Sequence, residues 1–155
     1  MAKCSETSAA WMQEALKDAA LAGAAGEVPV GAVAVRKGEI VGRGHNQVES
    51  TKDPTAHAEI LAIRDASKLL GSWRLHDVDL YVTLEPCPMC IGACILARIH
   101  SLYFGCYDPR QGAVGSRFDL SDYPGLSHSI DVYPEVMAEE SRTLLEDFFS
   151  ELRKG

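Results

Sequence analysis

Two short segments of the chain contain residue types that bind metal ions and move protons. The first is the run His57-Ala58-Glu59, and the second holds Cys87 and Cys90, three residues apart. Imidazole and thiolate groups are preferred zinc ligands, and three protein ligands leave one tetrahedral position for water. Zinc lowers the pKa of such a water from about 15.7 to near 7. We therefore predict a catalytic zinc ion held by His57, Cys87 and Cys90, with Glu59 as the proton-transfer group.

The spacing of the two cysteines is typical of a helix start. If Cys87 caps a helix and Pro88 takes the first helical position, both sulfurs lie on one side of the first turn. The unpaired N–H groups at a helix N-terminus carry partial positive charge and favour thiolate over thiol. The local sequence thus predicts both the position and the ionisation of these two ligands.

His57 and Glu59 impose a geometric condition on the site. Residues two apart on a helix point about 200° away from each other, because the helix has 3.6 residues per turn. His57 and Glu59 therefore reach one metal ion only if the ion lies beyond the end of the helix, near its axis.

The five cysteines leave an alternative open. Cys94 lies one turn beyond Cys90, so a closed structural zinc site with Cys94 as fourth ligand is conceivable. We expect Cys94 to be a buried core thiol instead, because a closed site leaves Glu59 without a role. An odd number of clustered cysteines argues against a disulfide framework, and we expect Cys4 and Cys106 to be buried thiols as well.

Strands alternate with helices along the chain, a pattern that predicts an α/β layer sandwich. Asp53 and Pro54 fit a helix cap and a first turn, and Gly71 fits a helix stop. The predicted helices cover residues 8–23, 56–70, 86–98 and 134–153. The predicted strands cover residues 28–35, 40–41, 79–83, 101–106 and 129–133, and residues 107–127 form a loop.

Composition and charge limit the class of protein. The 155 residues suit one domain over 1–155, and a net charge of −7 argues against broad, nonspecific nucleic-acid binding while allowing a local RNA contact. No segment has the roughly 20 apolar residues that cross a membrane. Glu6, Glu14 and Asp18 interrupt the alanine-rich start, which argues against a secretory signal, so we expect a cytoplasmic protein.

Nearly the whole chain resembles the bacterial tRNA-specific adenosine deaminases. The order His-x-Glu and then Pro-Cys-x-x-Cys is similar to that of zinc nucleobase deaminases in general. The tRNA branch is indicated by further segments of the chain, namely Val28–Ala32, Asn46, residues 53–59, the 108–116 loop and Phe148-Phe149.

The resemblance implies a cytidine-deaminase-like fold, a three-layer α/β/α sandwich with a five-stranded mixed sheet. It implies a homodimer that binds one zinc ion per subunit and converts adenosine to inosine at the wobble position of an arginine tRNA anticodon. It also implies roles for particular residues, in which the base is held by Val30, Asn46 and the Ala58 N–H, and the anticodon stem-loop by Asp108, Arg110, Phe149 and Arg153.

Simpler roles for some of these residues stay open, as do two other functions. Asn46 and Asp108 could each serve only to form a turn. Phe148 and Phe149 cannot both face the core from adjacent helical positions, and the exposed one could stack on RNA or pack against a partner subunit. The alternative functions are a deaminase of free guanine or cytosine and a noncatalytic, zinc-stabilised RNA-binding module.

Overall fold

The computed structural model describes residues 5–122, 124–126 and 128–154, which places Cys4 outside the described residues. A mixed sheet of five strands in the order β2-β1-β3-β4-β5 forms its centre. β1 is antiparallel to β2 and to β3, whereas β3, β4 and β5 run parallel. The strands are β1 (Gly31–Arg36), β2 (Glu39–His45), β3 (Asp79–Leu84), β4 (Ser101–Cys106) and β5 (Asp131–Tyr133).

Helices cover both faces of the sheet and give it three layers. α1 and α5 pack on one face and contact each other, and α3 and α4 pack on the opposite face. The fold prediction, an α/β/α sandwich with a five-stranded mixed sheet, is confirmed. The helices are α1 (Glu6–Ala24), α2 (Val48–Thr51), α3 (Ala58–Leu70), α4 (Pro88–Leu96) and α5 (Ala138–Lys154).

The alternation of side chains along β1 divides the core into two clusters. Ala32 and Ala34 pack toward α3 and α4, whereas Val33 and Val35 pack toward α1. On the α3 side, a Cβ at Gly42 or Gly44 of β2 would collide with the α3 backbone. The two glycines therefore let α3 lie directly against β2, and this contact fixes where α3 begins.

Several predicted boundaries are shifted. The prediction that Asp53 caps a helix is wrong, because its Oδ1 accepts hydrogen bonds from the N–H and the hydroxyl of Thr55 and closes a separate turn. The first strand begins at Gly31 instead of residue 28, and the last helix begins at Ala138 instead of residue 134. The short helix α2 was not predicted, whereas the stop at Gly71 is confirmed by its left-handed φ of 66°.

The fold brings several chain segments together beyond the carboxyl ends of β3 and β4. α4 follows β3 directly, and the backbone N–H of Glu85 donates to the carbonyl of Cys106 at the end of β4. Ligand sites of α/β sheets commonly lie at this edge. Among the described residues, no helix is long and apolar enough to cross a membrane.

Candidate metal centre and substrate cavity

The N-terminus of α3 positions His57 and Glu59. His57 is the N-cap, with extended backbone angles of φ −78° and ψ 154°, and Glu59 lies in the first helical turn. Because His57 precedes the helix, the direction of its side chain is not set by the rotation of about 100° per residue that applies within a helix. Both side chains line one cavity at the end of the helix. The extended backbone of His57 thus lets both side chains face one space, although they are only two residues apart.

The N-terminus of α4 positions the two cysteines as predicted. Cys87 is the N-cap and Pro88 occupies the start of the helix. The Nδ1 atom of His57 lies 3.6 Å from the sulfur of Cys87 and 3.4 Å from the sulfur of Cys90. Tetrahedral zinc with ordinary bond lengths would separate such nitrogen and sulfur atoms by about 3.5 Å. His57, Cys87 and Cys90 are thus positioned to bind zinc.

Cys94 takes no part in this group. The three ligand atoms lie within 4.8 Å of one another, and no fourth Cys, His, Asp or Glu of the described segments joins them. Cys94 is fully buried in the apolar core, and this burial raises the pKa of its thiol well above the usual range. Its predicted role as a core thiol is confirmed, and a fourth tetrahedral position is left for a non-protein ligand.

Burial sets the ionisation behaviour of Glu59. The residue is only 4% exposed, and desolvation raises the pKa of its carboxyl to about 7. The pKa of the Cys87 thiol is lowered to about 4 by hydrogen bonds, first from Cys90 and then from His57, against the opposing effect of burial. A buried carboxyl beside a thiolate and an imidazole is an arrangement suited to proton transfer.

One cavity of about 750 Å³ extends from the metal ligands to α5. Ten of the eleven residues predicted for the site line this cavity, and the eleventh, Cys90, lies behind them within reach of His57. The ten lining residues are Val30, Asn46, His57, Ala58, Glu59, Cys87, Asp108, Arg110, Phe149 and Arg153. The sequence thus predicted residues that the fold brings together from six separate segments.

Asn46 closes a turn and also faces the cavity. Its Oδ1 accepts from the N–H of Val48 and its Nδ2 donates to the carbonyl of Val28. An amide has two N–H donors and two acceptor lone pairs, so one of each is left over. Turn formation and base binding are therefore compatible uses of this side chain.

Asp108 also has a turn role. Its Oδ1 accepts from the backbone N–H groups of Arg110 and Gln111, and among the described residues no hydrogen bond reaches its Oδ2.

On α5, Phe149 is 38% exposed at the cavity and Phe148 is half-buried. Their rings are in edge contact, with centroids 5.4 Å apart. The prediction that one phenylalanine is exposed is confirmed.

Several residues that line the cavity were not predicted, among them Arg142 and Glu85. Arg142 lines it from α5, on the same face as Phe149 and Arg153, at helical spacings that the sequence displays. Glu85 is a buried carboxyl that accepts from backbone N–H groups of the 108–116 loop, and Glu27 is a buried carboxyl that accepts from the N–H groups of Glu49 and Ser50 in α2. A charged residue directly after an apolar strand, as Glu85 is after Leu84, was the available sign of a special role.

Comparison with known proteins agrees with this site. The family described as the cytidine and deoxycytidylate deaminase zinc-binding region matches residues 5–106. A tRNA-specific adenosine deaminase of Bacillus subtilis is 47% identical over 144 residues, which cover 93% of this chain and 89% of that protein. A structure from a study of A-to-I editing by tRNA:A34 deaminases at the wobble position has a TM-score of 0.85 and 46% identity, over 88% of this chain and 99% of that one.

A guanine deaminase of Bacillus subtilis is also similar, but less so. It is 34% identical, with a TM-score of 0.62, over 94% of this chain and 93% of that one. The fold is common to both groups, whereas the higher identity and the closer superposition favour the tRNA enzymes. The chain belongs to the cytidine and deoxycytidylate deaminase zinc-binding family, within its branch of tRNA-specific adenosine deaminases.

Proposed function

We propose that the protein hydrolyses adenosine to inosine at the wobble position of a tRNA anticodon, with an arginine tRNA as substrate. The observation that carries the proposal is one cavity, which is lined by two of the metal ligands, Glu59 and the predicted RNA contacts, with the third ligand Cys90 next to His57. We further propose a cytoplasmic location, where tRNA substrates are found.

The chemistry requires a nucleophile and a proton carrier. His57, Cys87 and Cys90 would hold a zinc ion, which when bound would supply a Lewis acid that makes water nucleophilic at neutral pH. Glu59 takes one proton of the attacking water and passes it to the amino group on C6 of the adenine. The C–N bond then breaks, ammonia leaves, and the second proton of the water moves to N1, so that the oxygen stays on C6 as the carbonyl of inosine.

Three residues that line the cavity can hold the base. The N–H of Ala58 belongs to the first turn of α3, so no helical carbonyl satisfies it and it can donate to the base. Asn46 offers its remaining donor and acceptor to the purine edge. Val30, only 8% exposed, provides an apolar surface for the ring.

The outer part of the cavity suits an anticodon stem-loop. Arg110 and Arg153 are exposed and can reach phosphates, while Phe149 offers an aromatic face for a splayed base. Asp108 can accept a hydrogen bond from a ribose 2′-OH through its Oδ2. This arrangement concentrates a few cations at one place on a chain whose net charge is −7.

A panel of substrates tests the function. The purified, zinc-loaded protein is incubated with anticodon stem-loops that carry adenosine at the wobble position and, separately, with free adenosine, guanine and cytosine. We expect inosine in the arginine stem-loop and no turnover of the free bases. Xanthine or uracil from the free bases, without inosine in any stem-loop, would establish the free-base deaminase instead.

We also propose that two copies form a homodimer. Leu96 and Trp73 are 70% and 54% exposed near the ends of α4 and α3, which leaves apolar surface for a partner. Sedimentation at micromolar concentration should give twice the monomer mass of 16.8 kDa. A species of 16.8 kDa under these conditions would refute the dimer.

A further inference from the structure

A second buried carboxylate lies near the metal centre, and the proposed reaction does not use it. Glu85 follows β3 directly, two residues before the ligand Cys87, and is only 2% exposed although it lines the cavity. No Lys, Arg or His of the described part of the chain forms an ion pair with it. A buried charge without a cation must be stabilised by hydrogen bonds.

All of the hydrogen bonds to the Glu85 carboxylate come from one loop. Its Oε1 accepts from the N–H of Asp108 at 2.9 Å and from the hydroxyl of Ser116. Its Oε2 accepts from the N–H of Val114 at 2.9 Å and from the N–H of Ser116 at 3.0 Å. The carboxylate therefore binds both ends of the 108–116 loop at once.

The loop is shaped to fit this carboxylate. A Cβ at Gly112 would overlap the carboxyl group of Glu85, so no other residue type fits there without displacing it. Beside it, the N–H of Ala113 donates to the carbonyl of Pro86 at 2.9 Å. The loop is thus hydrogen-bonded to Glu85 and Pro86, the two residues that immediately precede the metal ligand Cys87.

The hydrogen bonds also exclude a proton-transfer role for Glu85. A carboxylate has about four lone-pair sites, and in Glu85 four donors occupy them. We propose that Glu85 is a positioning residue, which holds the 108–116 loop in the conformation that binds the tRNA substrate. The inference rests on the proposed function, because Asp108 and Arg110 of this loop are its proposed RNA contacts.

Glu85→Gln tests the inference with little change of volume. Its NH₂ group would face at least one backbone N–H, so the loop loses hydrogen bonds while the charge is removed. In zinc-loaded protein, we expect amide hydrogen exchange of Asp108, Val114 and Ser116 to accelerate. The KM for the arginine stem-loop should rise about tenfold, as expected for losing a hydrogen bond to a charged group, while kcat and zinc content stay close to wild type.

Glu27→Gln provides a matched control. Glu27 is also 2% exposed, and its carboxylate accepts from the N–H groups of Glu49 and Ser50 at 2.9 and 2.7 Å, both of which lie in α2. The Glu27 variant should accelerate exchange at Glu49 and Ser50 and leave the 108–116 loop protected. General destabilisation would instead accelerate exchange in both segments of both variants, and this would overturn the proposal.

Two further outcomes would also overturn it: accelerated exchange in the loop with an unchanged KM, or a fall in kcat together with loss of zinc. Should Glu85→Gln fail to fold, Ser116→Ala removes only the hydroxyl hydrogen bond to Oε1 and keeps the backbone N–H donor, and Gly112→Ala crowds the carboxylate without changing charge. Both should raise KM and accelerate exchange at Asp108 and Val114, and wild-type behaviour in both variants would refute the role. If the wild-type protein deaminates no stem-loop, the proposed function fails, whereas the exchange pattern still shows whether Glu85 holds the loop.

Discussion

The two walls of the cavity are held by different kinds of interaction. On the metal wall, His57 and Cys87 are N-caps of α3 and α4, so the helices themselves set the positions of the ligands. On the loop wall, residues 108–116 have little regular structure and depend on the side chain of Glu85. The metal wall is held by helix-start backbone geometry, whereas the loop wall is held largely by one buried carboxylate, with the Ala113–Pro86 backbone hydrogen bond beside it.

Each wall has a buried carboxylate, and the two have opposite surroundings. Glu59 is desolvated, which raises its pKa and keeps its protonated and ionised forms close in energy. Glu85 is surrounded by donors that fill its acceptor sites. The same functional group thus serves proton transfer where donors are scarce and positioning where they are abundant, and the variants below are expected to separate these effects.

Removal of a metal ligand should have the largest effect. Cys90→Ala is expected to lose zinc and all measurable deamination, because two protein ligands remain. Cys94→Ala is the matched control, since both thiols are fully buried on α4 and only Cys90 lies near His57. It should keep one zinc per chain, measured by atomic emission, with a modest loss of thermal stability. Loss of zinc from the Cys94→Ala variant would instead support the closed structural site, in which Cys94 is the fourth ligand.

Substitution of Glu59 should abolish turnover without loss of zinc. Glu59→Ala and the isosteric Glu59→Gln are expected to lower kcat by about 10²–10⁴-fold, the usual contribution of general acid–base catalysis. Glu85→Gln is the same chemical change in the other carboxylate and should act on KM instead. Single-turnover kinetics on the arginine stem-loop distinguish the two. Full deaminase activity of both Glu59 variants would remove Glu59 from the mechanism.

The metal wall could be predicted because its determinants are local. A cysteine followed by proline at a helix start fixes Cys87 and Cys90 within a few residues, and the structure agrees. Local reasoning still misplaced the start of α3, because Asp53-Pro54 has the composition of a helix cap as well as of a turn. In the structure this segment forms a turn and not a helix cap, because Asp53 accepts hydrogen bonds from Thr55 and α3 packs on β2.

The loop wall could not be predicted, because what holds it is distant in the sequence. The hydrogen-bond partners of Glu85 follow it by 23 to 31 residues, and those of Glu27 by 22 and 23. No periodicity or motif spacing connects such residues. Resemblance to a family identified Asp108 and Arg110, but it gave no indication of the carboxylate that holds their loop.

The arginines at the cavity mouth should have a smaller effect, visible in the dependence on salt. The association constant for a stem-loop is expected to fall as the salt concentration rises. A plot of its logarithm against the logarithm of the salt concentration should have a slope of about −1.4, since two neutralised phosphates of single-stranded RNA contribute about −0.7 each. Arg110→Ala or Arg153→Ala should each reduce the slope by about 0.7. Arg36→Ala is the control, because Arg36 pairs with Asp77 at the other end of β1. A slope as steep as about −4 in the wild type would show that many more phosphates are bound.

The smallest expected effect concerns the choice between RNA and DNA, and it depends on Asp108. The Oδ1 of this residue holds its own turn, and its Oδ2 is left to accept from a ribose 2′-OH, a donor that DNA lacks. In DNA the same carboxylate would meet phosphate repulsion with nothing to offset it. Asp108→Asn keeps an oxygen for the turn and replaces the other by a neutral donor.

We expect Asp108→Asn to narrow the preference for RNA over single-stranded DNA about fivefold, the size of one hydrogen bond of about 1 kcal/mol. The measurement is kcat/KM on matched RNA and DNA stem-loops with adenosine at the wobble position. Asp108→Ala separates the two roles of the side chain, because it also removes the turn and should lower activity on both substrates. An unchanged preference in Asp108→Asn would leave Asp108 as a turn residue, and the loop wall would then select its substrate through shape and phosphate contacts alone.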